Sequence, residues 1–119
     1  MLNTKEKTQA VVSALEDVKA LDIQVIDTSK LSPLFERMVI ASAQSTRQTK
    51  ALATNVVVTL KELGETVLST EGEDSGEWVL VDLGEVVVHI MQPAVRSYYN
   101  LEELWEARPS ARAVANAKK

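Results

Sequence analysis

Residues 76–91 read GEWVLVDLGEVVVHIM, and they decide the fold. The stretch is two strands around a tight turn at Leu83-Gly84. Side chains alternate along a strand, so Val79 and Val81 share a face with Val86, Val88 and Ile90. That face is uniformly apolar and belongs in a core. The other face carries Trp78, Leu80, Asp82, Glu85, Val87, His89 and Met91. With Leu83-Gly84 as a two-residue turn, Asp82 opposes Glu85, Leu80 opposes Val87 and Trp78 opposes His89. A bulge beside Gly84 would shift these pairs. Two opposed carboxylates are mildly unfavourable, and a cation from elsewhere would relieve them. Trp78 and Leu80 add apolar area beside the charge, the chemistry of an interface hot spot. The competing reading packs Trp78 beneath a helix in the core.

Outward from this hairpin, the periodicity predicts α-β-β-α-β-β-β with a final helix. Residues 4–20 place Val11, Val12, Leu15 and Val18 at helical spacing, with Asn3 as cap and Glu6 at the third helical position. DIQVID, 22–27, is a short strand. TSKLSP, 28–33, is a connection, because Ser32 before Pro33 is pushed out of the helical region. RMVIASA, 37–43, is a strand apolar on both faces, hence central. Ser45 and Gln48 form a capping box for a helix with the stripe Ala51, Leu52, Val56, Leu60 and Leu63, closed by Gly64. Its run Val56-Val57-Val58-Thr59 is a poor helix former that burial must override. ETVLSTE, 65–71, is a third strand and GEDSG, 72–76, a polar turn. Pro93 ends the last strand, and residues 94–105 are helical. The expected class is α/β, a mixed five-stranded sheet flanked by helices. Residues 1–105 form one domain, and 106–119 a basic tail expected to be mobile.

Composition bounds the function. The 119 residues suit one domain with a real core, and 45% hydrophobic with 25% charged residues is ordinary for a globular protein. There is no cysteine, which excludes disulfides and thiolate chemistry. No apolar run approaches the length of a membrane span, and MLNTKEKTQ has no signal-peptide core, so a cytoplasmic protein without a membrane partner is expected. Net charge is −4, unevenly spread. The tail holds Arg108, Arg112, Lys118 and Lys119 without an acid after Glu106. From Glu62 to Val95 there is no Lys or Arg, against Glu62, Glu65, Glu71, Glu73, Asp74, Glu77, Asp82 and Glu85. Such a stretch repels phosphate backbones and attracts cationic surfaces. It fits a basic protein partner better than nucleic acid, with any nucleic-acid contact left only to the tail. A solvated acidic face that merely aids solubility is the plainer alternative.

Catalytic constellations are missing. Nucleophilic catalysis needs an adjacent Ser or Cys and an orienting acid beside the one histidine, His89. Zinc needs three or four ligands at close spacing, and no phosphate-binding glycine motif occurs. No enzyme, metal or cofactor is expected.

The run EGEDSGEWVLVDLGEVVVHIMQPAVRSYYNLEELW, 71–105, resembles the signature of the ribosomal silencing factor (RsfS, Iojap-like) family. KALDIQVIDTS, 19–29, and MVIASAQSTRQTKALA, 38–53, resemble its first strand and its strand-to-helix turn. The resemblance implies a nucleotidyltransferase-like fold, a homodimer when free, and binding to a basic protein on the intersubunit face of the large ribosomal subunit. Bound there, such proteins block joining of the small subunit and lower translation when nutrients are scarce. Positions carried over are Glu71, Trp78, Leu80, Asp82, His89, Arg96 and Tyr99. Asp74, Glu77, Val87 and Met91 complete the expected partner-binding set from charge and strand face. The chain departs from the family pattern at Glu36-Arg37 and at Ala43-Gln44, which alters the backbone freedom of the turn before Ser45.

Overall fold

The computed structural model describes residues 2–106. The expected tail, from residue 107 on, lies outside them. Helix α1, Thr4–Asp17, opens with a complete capping box: Asn3 accepts from the Glu6 N–H at 2.8 Å, and Glu6 accepts from the Asn3 N–H at 3.1 Å. It stops three residues short of the expected end because Lys19 turns left-handed and the Ala20 N–H closes on the Leu15 carbonyl at 3.0 Å. Strand β1, Leu21–Asp27, follows, bulged between Leu21 and Gln24. It runs antiparallel to β2, Arg37–Ser42. At the end joined by the 28–36 connection Arg37 pairs with Asp27 at 3.1 Å. Hydrogen bonds from Ser29 to Asp27, then the Arg37 charge, hold that carboxyl below its ordinary range.

Helix α2, Thr46–Glu62, is capped by Ser45, which accepts from the Gln48 N–H at 3.1 Å. The other half of the expected box is altered. Gln48 accepts from the Gln44 N–H instead, and donates to the carbonyls of Val18 and Lys19, so it ties this cap to the end of α1. The buried stripe is Thr49, Leu52, Ala53, Val56 and Leu60; Ala51 and Leu63 face solvent. Burial overrides the poor propensity of the valine run at Val56, whereas Val58 is exposed.

Strand β3 is only Ser69–Glu71, since Glu65 turns away toward α1. Strands β4, Trp78–Asp82, and β5, Val86–Met91, form the hairpin. The expected final helix is two: α3, Pro93–Tyr99, and α4, Leu101–Glu106, broken at left-handed Asn100. The mixed five-stranded sheet runs β1-β2-β5-β4-β3, parallel only between β2 and β5. Helices α1 and α2 cover the same face, where Val39, Val79, Val81, Val86, Val88 and Ile90 meet Val11, Leu15, Leu52, Val56 and Leu60 in one core. Among the described residues the opposite face has a small cluster, Ile26, Met38 and Ile40 with Phe35 and Leu101.

Apart from Glu85, the hairpin faces stand, but the pairs shift by two residues. Leu83 pairs with Val86 through a 2.9 Å hydrogen bond, so Gly84-Glu85 is the turn, and Gly84 takes the positive φ that its first central position needs. Asp82 therefore opposes Val87, Leu80 opposes His89 and Trp78 opposes Met91. The expected carboxylate pair does not form. Asp82 accepts from the Gly84 N–H at 2.9 Å, while Glu85 leaves the face.

Candidate docking surface on the open face of the sheet

Alternation puts Glu71 of β3, Trp78, Leu80 and Asp82 of β4, and Val87, His89 and Met91 of β5 on the sheet face away from α1 and α2. Trp78 and His89 are diagonal neighbours across the hairpin, within reach for aromatic side chains. The indole Nε1–H donates to His89 Nδ1 at 2.9 Å. Tyr99, at the end of α3, leans on the indole with ring centroids 4.8 Å apart, and Tyr98 meets Tyr99 edge-on at 5.0 Å. The four rings grade from an 82% exposed Tyr98 to a 9% exposed His89. Burial pushes the His89 pKa down to about 4, so the ring is neutral near pH 7. Acceptance at Nδ1 then leaves its proton on Nε2.

Two shallow depressions meet at Leu80 and His89. One, of about 270 Å³, is lined by Glu71, Gly72, Trp78, Leu80 and His89. The other, of about 340 Å³, is lined by Leu34, Phe35, Asp82 and Val87 together with the shared pair. The acidic turn beside them is firmly held. Gly72 passes so close to the Trp78 carbonyl that a Cβ there would stand 2.1 Å from its oxygen. Thr49 of α2 donates to the Gly76 carbonyl, and the Gln92 N–H donates to the Glu77 carbonyl at 3.0 Å. Asp74 and Glu77 are exposed on this turn, as is Glu71 at the end of β3.

The expected partner-binding residues divide. Glu71, Asp74, Glu77, Trp78, Leu80, Asp82, Val87 and Tyr99 offer surface to solvent. Met91 does not: it is fully buried, because its β5 position lies between β2 and β4 under Trp78. His89 is nearly buried and presents little surface of its own. Arg96 is half-buried and engaged internally, donating to Glu102 at 2.8 Å and to Ser42 Oγ at 2.8 Å, so it fastens α3 to the sheet rather than reaching outward.

The acids divide too. Lys7 of α1 sits 2.7 Å from Glu85 and 3.1 Å from Glu65. Burial alone would depress the Lys7 pKa, but hydrogen bonds to Glu85 and Glu65 outweigh it and raise it. Glu65 is held low by the Leu2 N–H, then by Lys7. Among the described residues no ion pair engages Glu71, Asp74, Glu77 or Asp82. Sequence reasoning missed Leu34, Phe35 and Tyr98 on this side. An apolar pair inside the polar connection SPLFER was the available signal.

The family model described as "Ribosomal silencing factor during starvation" matches residues 2–119. The chain is 51% identical to the ribosomal silencing factor RsfS of Chromobacterium violaceum, over 98% of this chain and 96% of that protein. It is 38% identical to the ribosomal silencing factor RsfS of Bacillus subtilis, over 92% and 93%. A crystal structure of a protein from Chromobacterium violaceum superposes with a TM-score of 0.88 at 51% identity, covering 98% of each chain.

Proposed function

The chain belongs to the ribosomal silencing factor family, and from that premise we propose that it docks through the open sheet face onto a basic protein of the large ribosomal subunit. Seated on the face that meets the small subunit, it blocks subunit joining and represses translation when nutrients are scarce. One observation carries the reading: a half-buried tryptophan beside carboxylates that no base of the described chain neutralises. An aromatic anchor in a shallow apolar trough supplies affinity, and the acids supply complementarity to a cationic surface.

The mechanism is steric and needs no reacting group. An interface of ordinary size takes roughly 800 Å² from each partner. A body with a radius of gyration of 14.3 Å then stands where the opposing subunit must approach. The nucleotidyltransferase likeness belongs to this proposal as architecture only, for Asp22 and Asp27 stand at the two ends of β1 instead of side by side. The same reading makes the protein cytoplasmic and homodimeric when free, and brings the bases of residues 107–119 within reach of ribosomal RNA.

Co-sedimentation with isolated large subunits tests the proposal. The wild-type protein should pellet with them and lower the yield of joined subunits. Trp78→Ala should do neither while keeping its circular dichroism and thermal transition. A folded Trp78→Ala protein that pelleted normally would remove the surface from the mechanism.

A further inference from the structure

We propose that His89 is a positioning residue for docking: its ring accepts the Trp78 indole N–H and so fixes the direction in which the indole meets a partner. The inference rests on the docking surface proposed above and adds the group that orients its anchor.

Three observations converge on this role. His89 is only 9% exposed, so it has little surface with which to touch a partner. Its Nδ1 lies 2.9 Å from the indole nitrogen, a good hydrogen bond. The indole also meets the ring of Tyr99, with centroids 4.8 Å apart and planes tilted by 50°. A tryptophan side chain turns about two bonds, and a docking anchor that must be ordered on binding loses affinity. A donor fixed on one edge and a ring against one face leave a single orientation before any partner arrives.

The contact also depends on the ring's protonation. A protonated imidazole has N–H groups at both nitrogens, and its Nδ1–H would point at the indole N–H. The side chains that face His89 are uncharged on β2 and β4, namely Ile40 and Leu80. The charged groups that share the two depressions with His89 are Glu71 and Asp82, and α3 carries Arg96, already held by Glu102. Among the described residues none of them forms an ion pair with His89.

The experiment follows the Trp78 indole N–H resonance by proton–nitrogen NMR in the full-length protein, assigned by its loss in Trp78→Phe. Binding of the same proteins to isolated large subunits is measured alongside. His89→Asn returns an acceptor near the Nδ1 position and should keep the resonance in place with affinity within about threefold of wild type. His89→Phe keeps the ring volume but has no acceptor. It should move the resonance, speed its solvent exchange and weaken binding about tenfold. Should either variant misfold, the wild-type protein still gives the test: acid titration should move the indole resonance with a midpoint well below the usual histidine range. An unmoved resonance in folded His89→Phe, or through the wild-type titration, would overturn the hydrogen bond. A moved resonance with unchanged affinity would overturn the positioning role. Normal binding by Trp78→Ala would instead sink the docking surface, a failure that the NMR arm on the free protein tells apart.

Discussion

The two faces of the β4–β5 hairpin come from one stretch of chain and behave oppositely. On the helix side Val79, Val81, Val86, Val88 and Ile90 are fully buried, and α1 and α2 leave no surface there. On the open side Trp78, Leu80, Asp82 and Val87 stay partly exposed, and of the described helices α3 and α4 approach, anchored by Arg96, beside Leu34 and Phe35 of the β1–β2 connection. Both faces carry large apolar side chains, although only the helix side is uniformly apolar. The difference is cover: two helices long enough to span the sheet pack on one side, while the other has seven- and six-residue helices broken at Asn100. An apolar face that the chain leaves half-covered is where a partner gains most by binding.

That contrast can be broken by substitution. Truncating the closed face should cost the most stability. Ile90→Ala, in a fully buried site, should lose about 2–5 kcal/mol in urea unfolding. Acid should come next, through the open face. His89 has a pKa of about 4 when folded and an ordinary value near 6.5 when unfolded, so the unfolded chain takes up the proton first. The resulting stability is fully present above pH 6.5 and lost as pH falls toward 4, roughly 3 kcal/mol in all. Urea midpoints measured across that window should fall, and they should fall less in His89→Asn. Leu80→Ala, on the same face, should reverse the pattern of Ile90→Ala. It should cost under about 1 kcal/mol of stability but weaken large-subunit binding at least several-fold. The smallest effect on binding belongs to the edge of the closed side. Asn3→Ala removes one half of the α1 capping box and should cost about 1 kcal/mol, with binding unchanged.

Much of this was legible in the residues. The alternation through GEWVLVDLGEVVVHIM assigned the strand side chains to their faces, Glu85 in the turn excepted, and the pair Asn3 and Glu6 marked the start of α1. The pairing across the hairpin was not legible. Either Leu83-Gly84 or Gly84-Glu85 makes a two-residue turn, and both leave the same residues on the same faces. The choice follows from Leu83, which is buried against the core when it pairs with Val86. The acids show the same division. Eight carboxylates without a base between Glu62 and Val95 look alike along the chain. Lys7, more than fifty residues earlier, takes Glu65 and Glu85 out of that group.

Periodicity, caps and turn residues thus settle what neighbours in the chain impose on one another: element type, face and approximate ends. These are local because backbone geometry repeats over two or four residues. The diagonal contact of Trp78 with His89, the burial of Met91 and the internal capture of Arg96 needed the packed molecule. Each depends on which strand lies beside which and how far it slides, and those are set by the summed burial of distant residues. For that reason the sequence located the open sheet face, while the fold determined which of its side chains are exposed and which are held inside.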